Sequence, residues 1–600
     1  MSESNQSHAG DQQDFRERRK KARRVRNMVR NMARDEFITD PPETNNDEQR
    51  FAELKLPGFA SFTKALKHDE NNGLVIDSSF KSLLKALDEG TQEAFERVVL
   101  GGAEIRAKSC DKVDPIAPRR LVNPLNAYSF QLIGNDSNGA RMAAAPAFDS
   151  RNTAVDMVER YWMALCRDIP FDQYEDSALI QEACSDLNSL GFAAEFGFEC
   201  TPQTIFRGPY EGCFVGPHVS QFLLQDFVFG NQPIAQQQRF PQPGLDFMTD
   251  LETWLEINNG EVDPTGDDVL LGTRYITNLR DAGQWVHVDF PHQSSLWATI
   301  ILLGKMAAVS AGIPYADCRR KDEMRPFEDL ITTSDAFGSL GGPDITITSG
   351  YAAVYGLKHA WFQKWCVHRR LRPEVYAQRL ELFRRGILGQ FLGDRFCELF
   401  GTGADVWKKT TVLARILEHN RKQNTFFGRA DAEEGTYLLP MGFPEGSPTH
   451  PSYPGGHSAF IAAGATIAKA LFADTVIASP QVPNTDGSDL EPLSETPELT
   501  VHGELNKLIA NVTLFRDGAG MHWRTDGTTS GNRGIISGTD IATGGNLLGE
   551  KMAVSMLRDL RLTYREELGD FDFKSITGES ISISDSQPSL DNDNDDDDDD

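Results

Sequence analysis

Three stretches, far apart in the chain, carry cations, histidines and glycines at spacings that suit one tetrahedral oxyanion. The first is KWCVHRRLRPE, with Lys364 and Arg372. Lys364 ends an amphipathic helix pattern, and Arg372 stands before Pro373, which biases it out of helical geometry. Two cations near a helix end reach one anion from different directions, and a guanidinium fork matches two oxygens at once. Taken alone, this stretch also reads as a solvated basic face. The second is SPTHPSYPGGHSAF, residues 447–460. Gly455 and Gly456 let the backbone approach a ligand. The helix expected from about His457 offers free N–H groups and a positive dipole end. His457 at its lip is placed to move a proton near neutral pH; a turn with a capping histidine is the plainer reading. The third is RDGAGMHWRTDG, residues 516–527. Arg516 and His522 would point about 240° apart on one unbroken helix, but Gly518 and Gly520 can break it and let both converge. Asp526, four residues after His522, can fix the imidazole tautomer; the plainer reading is a polar loop with an internal salt bridge. Jointly, two arginines and a lysine neutralise a multiply charged oxyanion, glycine amides cradle it, one histidine bonds its central atom and another moves protons.

The elements that must position these groups read as helical. In TAVDMVERYWMALCRD, Val155, Val158, Trp162 and Leu165 recur at spacings of three and four. Further helix candidates are SLWATIILLGKMAAVSAG, YAAVYGLKHAWFQKWCVHRR, PEVYAQRLELFRRGILGQFL, HSAFIAAGATIAKALFAD, ELNKLIANVTLF and GNLLGEKMAVSMLRDLRLTYREEL. Long alternating strand patterns are scarce and no internal repeat is found. The expected class is all-α, a large assembly of packed helical bundles with few short strands. Four regions are expected: a mobile basic arm over 1–50, an N-terminal helical region over 51–340, a C-terminal helical region over 341–570 carrying the anion site, and a disordered acidic tail over 571–600. The stretch near 479–499 reads as an exposed loop.

Composition bounds the alternatives. The 600 residues are 40% hydrophobic and 25% charged, ordinary for a globular protein. The net charge of −28 argues against nucleic-acid binding. Residues 1–34 nevertheless carry ten Lys/Arg against four Asp/Glu, and the chain ends in DNDNDDDDDD. The basic stretch reads as a solvated arm or oligomer contact, with a membrane surface or partner as the other option. No apolar run is long enough to span a membrane. MSESNQSHAGDQQ has no hydrophobic signal region, which leaves the cytoplasm as the default location. Eight dispersed cysteines form no CxxC pair, so free thiols are expected rather than zinc ligands, with one or two disulfides left open.

The order of parts resembles the superfamily shared by vanadium haloperoxidases and type 2 phosphatidic acid phosphatases. Its pattern is a lysine followed by Arg-Pro, then Pro-Ser-Gly-His, then an arginine six residues before a histidine with an aspartate four further on. Here it reads Lys364 with Arg372-Pro373, then Pro454-Gly455-Gly456-His457, then Arg516, His522 and Asp526. SPTHPSYPGGH, KWCVHRRLRPE, GMHWRTDG, VERYWMALCRDIPF and FRGPYEGCFVGPHVSQFLLQ are similar to the red-algal and cyanobacterial bromoperoxidases, over roughly 100–570. The resemblance implies a mostly helical fold built around two four-helix bundles and a vanadate cofactor. The implied reaction oxidises a halide, bromide best and iodide also, with hydrogen peroxide to a hypohalous-acid equivalent that halogenates organic acceptors. It implies that Lys364, Arg372 and Arg516 hold vanadate oxygens with the glycine backbone of 455–456. It makes His522 the vanadium ligand and His457 the acid–base residue. His450 matches a histidine typical of bromoperoxidases, and Trp361, a turn before Lys364, is a candidate for the halide pocket or for plain core packing. Asp526 would support His522 from behind. A homo-oligomer is implied by likeness, as is a structural calcium without assignable ligands. The departure is Gly455, where the family has a serine whose hydroxyl bonds the oxyanion. Losing such a bond to a charged group costs about 1.5–3 kcal/mol. Two other readings stand beside this one: an acid phosphatase with His522 as nucleophile and His457 protonating the leaving group, and a non-catalytic oxyanion-binding or assembly protein.

Overall fold

The computed structural model describes residues 4–35, 42–102, 119–261, 269–305, 307–316, 330–388, 396–493, 498–528 and 542–584. Every helical stretch expected from periodicity contains a helix. Those used below are α1 (Ser4–Asp35), α2 (Arg151–Leu165), α3 (Leu279–Trp285), α4 (Gln293–Gly304), α5 (Gly342–Phe362), α6 (Pro373–Arg384), α7 (Gly456–Leu471), α8 (Val501–Gly518) and α9 (Gly544–Arg561). The described strands form four separate two-stranded antiparallel sheets.

The Ala-rich α7 is buried along nearly its whole length and packs against α4, α5, α8 and α9. Its neighbours come close because small residues meet it. A Cβ on Gly356 of α5 would lie 2.7 Å from the Ala459 carbonyl oxygen, and one on Gly549 of α9 only 2.1 Å from the same atom. Larger side chains there would push those helices off α7 and move its N-terminus.

Helix α2 starts at Ser150, whose side chain accepts from the Thr153 amide, and is buried on all sides. Val155, Val158 and Trp162 enter the core as the periodicity requires. Asp156, Glu159 and Arg160 are buried too, each engaged. Asp156 accepts from the Arg524 amide at 2.9 Å and the Thr525 hydroxyl at 2.8 Å, while Arg160 reaches Asp517 at 2.5 Å. Buried charges persist only when paired in this way. The pairing clamps the 516–527 stretch to the first half of the chain.

The structure corrects three expectations of organisation. The acidic tail does not begin at 571: Phe571–Lys574 pairs with Ser580–Ile583, and Phe571, Phe573, Ile576 and Ile583 are buried. The alternation of apolar and polar residues in FDFK and SISI, a strand signal, was outweighed by the Asp-rich sequence beyond, and 585–600 lie outside the described residues. The arm boundary at 50 falls inside a helix, Asp47–Glu53, whose Phe51 stacks on Phe59. The basic stretch itself lies in α1, largely exposed over 15–31. The loop near 479–499 contains the hairpin Gln481–Pro483 with Leu490–Pro492, tied down by Gln221, which exchanges two hydrogen bonds with the Gln481 backbone.

Cys166, Cys184, Cys200 and Cys213 are buried free thiols; Cys366 is half-buried and Cys397 exposed, both also free. Cys110 and Cys318 lie outside the described residues. Among the described residues, no helix is long and apolar enough to cross a membrane, and no group of three or more His, Cys, Asp and Glu is placed to hold a metal ion.

Candidate active site

The three stretches meet at the N-terminus of α7. After Phe362, α5 continues as a π-helical turn, Gln363–His368, carrying Lys364, and Arg369 leaves it with φ +42°. Such wide turns redirect side chains and recur at functional sites. Arg372 is extended (φ −84°, ψ 155°) ahead of Pro373, which opens α6. In the third stretch, α8 ends at Gly518. Gly520 takes φ +88°, and the Met521 amide turns back to the Arg516 carbonyl at 3.1 Å, so the chain folds His522 back beside the α8 terminus.

Hydrogen bonds lock the stretches together. Lys364 Nζ donates to the carbonyls of Pro451 and Ser452, both at 2.7 Å. Arg372 donates to His522 Nε2 at 2.9 Å, the Met521 carbonyl at 2.8 Å, and His450 Nδ1 at 3.0 Å. The Gly455 amide donates to the Asp526 carbonyl at 2.7 Å. His522 Nδ1 lies 2.8 Å from Asp526 Oδ2, and Arg370 pairs with Asp526 Oδ1 at 2.9 Å. Ser452 also donates its hydroxyl to Asp526. Asp526 accepts from the Nδ1–H, so the Nε2 lone pair of His522 faces forward, and Arg372 donates into it. The ring is thereby held in the tautomer that can bond a central ion.

His457 is the second residue of α7, and its Nε2 lies 2.9 Å from Asp289 Oδ1. Its other nitrogen has no partner among the described residues. Arg516 donates to the Val286 carbonyl at 2.7 Å, whereas its buried Nε has no partner. Trp361 lies against His450 with ring centroids 4.7 Å apart and donates to the Val122 carbonyl at 3.1 Å. A Cβ on Gly456 would stand 3.0 Å from its indole, so that glycine also makes room for Trp361.

All the residues singled out in the sequence therefore lie in one cluster, with one change of role. The Gly455 amide is engaged by Asp526, so the open donors are the first amides of α7, beginning with Gly456, which helix geometry leaves without partners. Sequence reasoning missed Asp289, Val286, Arg370 and Ser452. The last two sit inside the motifs already marked. Asp289 and Val286 come from a short connection after α3 with no local signal, and they place part of the site in the first half of the chain, outside the region 341–570 expected to carry it.

The electrostatics favour an anion. Burial pushes Lys364 well below its usual range, Arg372 and Arg516 repel it further, and Asp526 opposes them. Arg372 is pushed down to about 9 by burial and Arg516 to about 10, in both cases against the pull of nearby carboxylates. Burial, then Arg372, Lys364 and Arg516, hold His522 well below the ordinary imidazole range. One unit charge 4 Å from another is worth about 4 kcal/mol at an effective dielectric of 20. A multiply charged oxyanion among these groups would reverse the repulsion, and the orphaned Arg516 Nε, the open α7 amides and the forward Nε2 of His522 fit vanadate.

A Vanadium-dependent bromoperoxidase of Ascophyllum nodosum is 31% identical over 87% of this chain and 86% of its own length. The chain belongs to the vanadium-dependent haloperoxidases. Two further relatives named Vanadium-dependent bromoperoxidase, from Corallina pilulifera and Corallina officinalis, are each 29% identical. They cover 92% and 93% of this chain and 94% and 96% of their own lengths, more chain than the 100–570 judged from motifs. The fold matches the homohexameric second vanadate-dependent bromoperoxidase of Ascophyllum nodosum with a TM-score of 0.74, 24% identity, and 94% and 90% of the two chains covered. No family model matches the sequence. The haloperoxidase fold is thus mostly helical here, as expected.

Proposed function

We propose that this haloperoxidase binds vanadate at the N-terminus of α7 and oxidises halide, bromide in preference, with hydrogen peroxide, yielding a hypohalous-acid equivalent for organic acceptors. The observation that carries the assignment of the site is the joint contact of Arg372 with His522 Nε2 and His450 Nδ1, which brings all three motifs to one point. Lys364, Arg372 and Arg516 would hold the oxygens with the Gly456 amide, and His522 would bond vanadium through Nε2. When bound, vanadate supplies a Lewis-acidic centre that activates peroxide without changing its own oxidation state.

The chain's own residues do the rest. Asp526 keeps the proton of His522 on Nδ1. Asp289 orients His457 through Nε2 and favours its imidazolium, opposing the burial that lowers its pKa. The free nitrogen of that ring is then available to take and return a proton of the incoming peroxide. The buried cations concentrate small anions. Trp361 and His450 form one wall of the site, where a weakly hydrated halide would lie.

The Ascophyllum nodosum structure is described as homohexameric, which supports a homo-oligomer here as well. The phosphatase and non-catalytic readings are not favoured, since all three relatives described above by sequence are named bromoperoxidases. Apo-protein incubated with orthovanadate, peroxide and bromide should brominate a phenolic dye. An unchanged dye with cleavage of p-nitrophenyl phosphate in a parallel vanadate-free assay would establish the phosphatase instead, and silence in both the binding protein.

A further inference from the structure

Gly455 is the position where the chain departs from its family's serine, and its surroundings show what stands there instead. A Cβ built on Gly455 would lie 2.4 Å from the Ser458 hydroxyl oxygen and 3.2 Å from Ser458 Cβ. A Cβ on Gly527 would also lie 2.4 Å from that hydroxyl, and one on Gly545 2.8 Å from Ser458 Cβ. Three glycines from separate stretches thus border one cell, and Ser458 fills it. Ser458 is 3% exposed as a residue, and none of the side-chain hydrogen bonds found among the described residues uses its hydroxyl, which is not one of the fully enclosed, unpartnered atoms. Its hydroxyl is therefore uncommitted within the protein and can donate to a bound acceptor. It is the third residue of α7, next to the open amides of Gly456 and His457.

We infer that Ser458 supplies the bound oxyanion with the hydroxyl that the family places at 455, so that Gly455 and Ser458 form a compensating pair. The hydroxyl is carried from the N-cap of α7 into its first turn, and the glycine at 455 is what admits it. A serine at 455 would restore the family motif by inspection, yet in this chain its Cβ collides with Ser458. The inference rests on the assignment of the α7 N-terminus as the vanadate cradle.

The test measures orthovanadate binding to the full apo-chain by equilibrium dialysis, without peroxide or halide, beside the thermal unfolding of the same samples. Ser458→Ala should weaken binding on the order of tenfold or more, the loss of one hydrogen bond to a charged acceptor, with unfolding no earlier than in the parent. Gly455→Ser alone should lose both affinity and unfolding temperature. Gly455→Ser combined with Ser458→Ala should regain both, since the remaining 3.2 Å approach of the two Cβ atoms needs a shift of only a few tenths of an ångström. Parental affinity in Ser458→Ala overturns the inference, as does a Gly455→Ser protein that binds and unfolds like the parent. His522→Ala in the same assay separates the two levels. If it too binds normally, the cradle assignment fails; if it alone loses binding, only the pairing of 455 with 458 fails.

Discussion

Replacing Asp526 by asparagine changes one oxygen to an amide nitrogen in a site where every neighbour is a donor. Oδ2 accepts from His522 Nδ1 at 2.8 Å, the Trp523 amide at 3.1 Å and the Ser452 hydroxyl; Oδ1 accepts from Arg370 at 2.9 Å. With the new NH2 at the Oδ1 position, it opposes the Arg370 guanidinium and leaves that buried cation unpaired. Breaking such a pair costs about 3–5 kcal/mol. With the NH2 turned to the Oδ2 position, His522 must move its proton from Nδ1 to Nε2, and the protonated Nε2 can neither bond a central ion nor accept from Arg372. Both placements harm binding, because the first also releases the carboxylate charge that makes Nε2 basic. Loss of a partner behind a metal-ligating histidine costs about 10–100-fold in affinity, equivalent to about 1.4–2.7 kcal/mol. Equilibrium dialysis of orthovanadate against the apo-variant should show that loss, and calorimetry should show earlier unfolding of the apo-protein. Parental affinity in a folded Asp526→Asn protein would refute the claim that Asp526 sets the tautomer of His522.

Three further outcomes follow. His457→Ala should suppress dye bromination far more than orthovanadate affinity, and equal losses would move His457 from proton transfer to anchoring. In Asp289→Asn the imidazolium of His457 loses the carboxylate that favours it, while burial and Arg516 still oppose it. The acidic limb of the rate profile should therefore shift to lower pH, and an unmoved limb would detach Asp289 from the proton step. Burial would raise the Glu445 carboxyl, but the hydrogen bond and charge pairing with His287 at 2.7 Å, together with its own backbone amide and Arg119, hold it at about 2. Its folded pKa lies below the ordinary value, so its stabilisation is present above about pH 4.5 and lost as pH falls toward 2. Glu445→Gln should accordingly narrow its stability gap to the parent across that window, measured by unfolding midpoints; a constant gap would mean that the pair contributes nothing through ionisation.

What could be read from residues alone was whatever local spacing encodes. The 3.6-residue recurrence in α2, α7 and α9 marked helices, because an apolar stripe must be buried whatever it meets. Pro373 marked the extended Arg372, and Gly518 with Gly520 marked the break that folds His522 back. The cations, histidines and glycines of the site belong to short motifs, so their types and order already specified an oxyanion cradle. Tertiary structure alone decided what completes it. Asp289 and Val286 reach His457 and Arg516 through a connection with no pattern of its own, because their roles depend on where α3 packs against α8. The buried charges of α2 read as part of an amphipathic helix until the fold set them against Asp517, Arg524 and Thr525. The hairpin at 571–583 was hidden by the acid-rich sequence beyond it, since pairing and burial against the core outweigh charge that lies outside the strands. The meaning of Gly455 was likewise undecidable from the chain: a missing side chain is a loss or an accommodation according to what occupies the space, and only packing brings Ser458, Gly527 and Gly545 to that point.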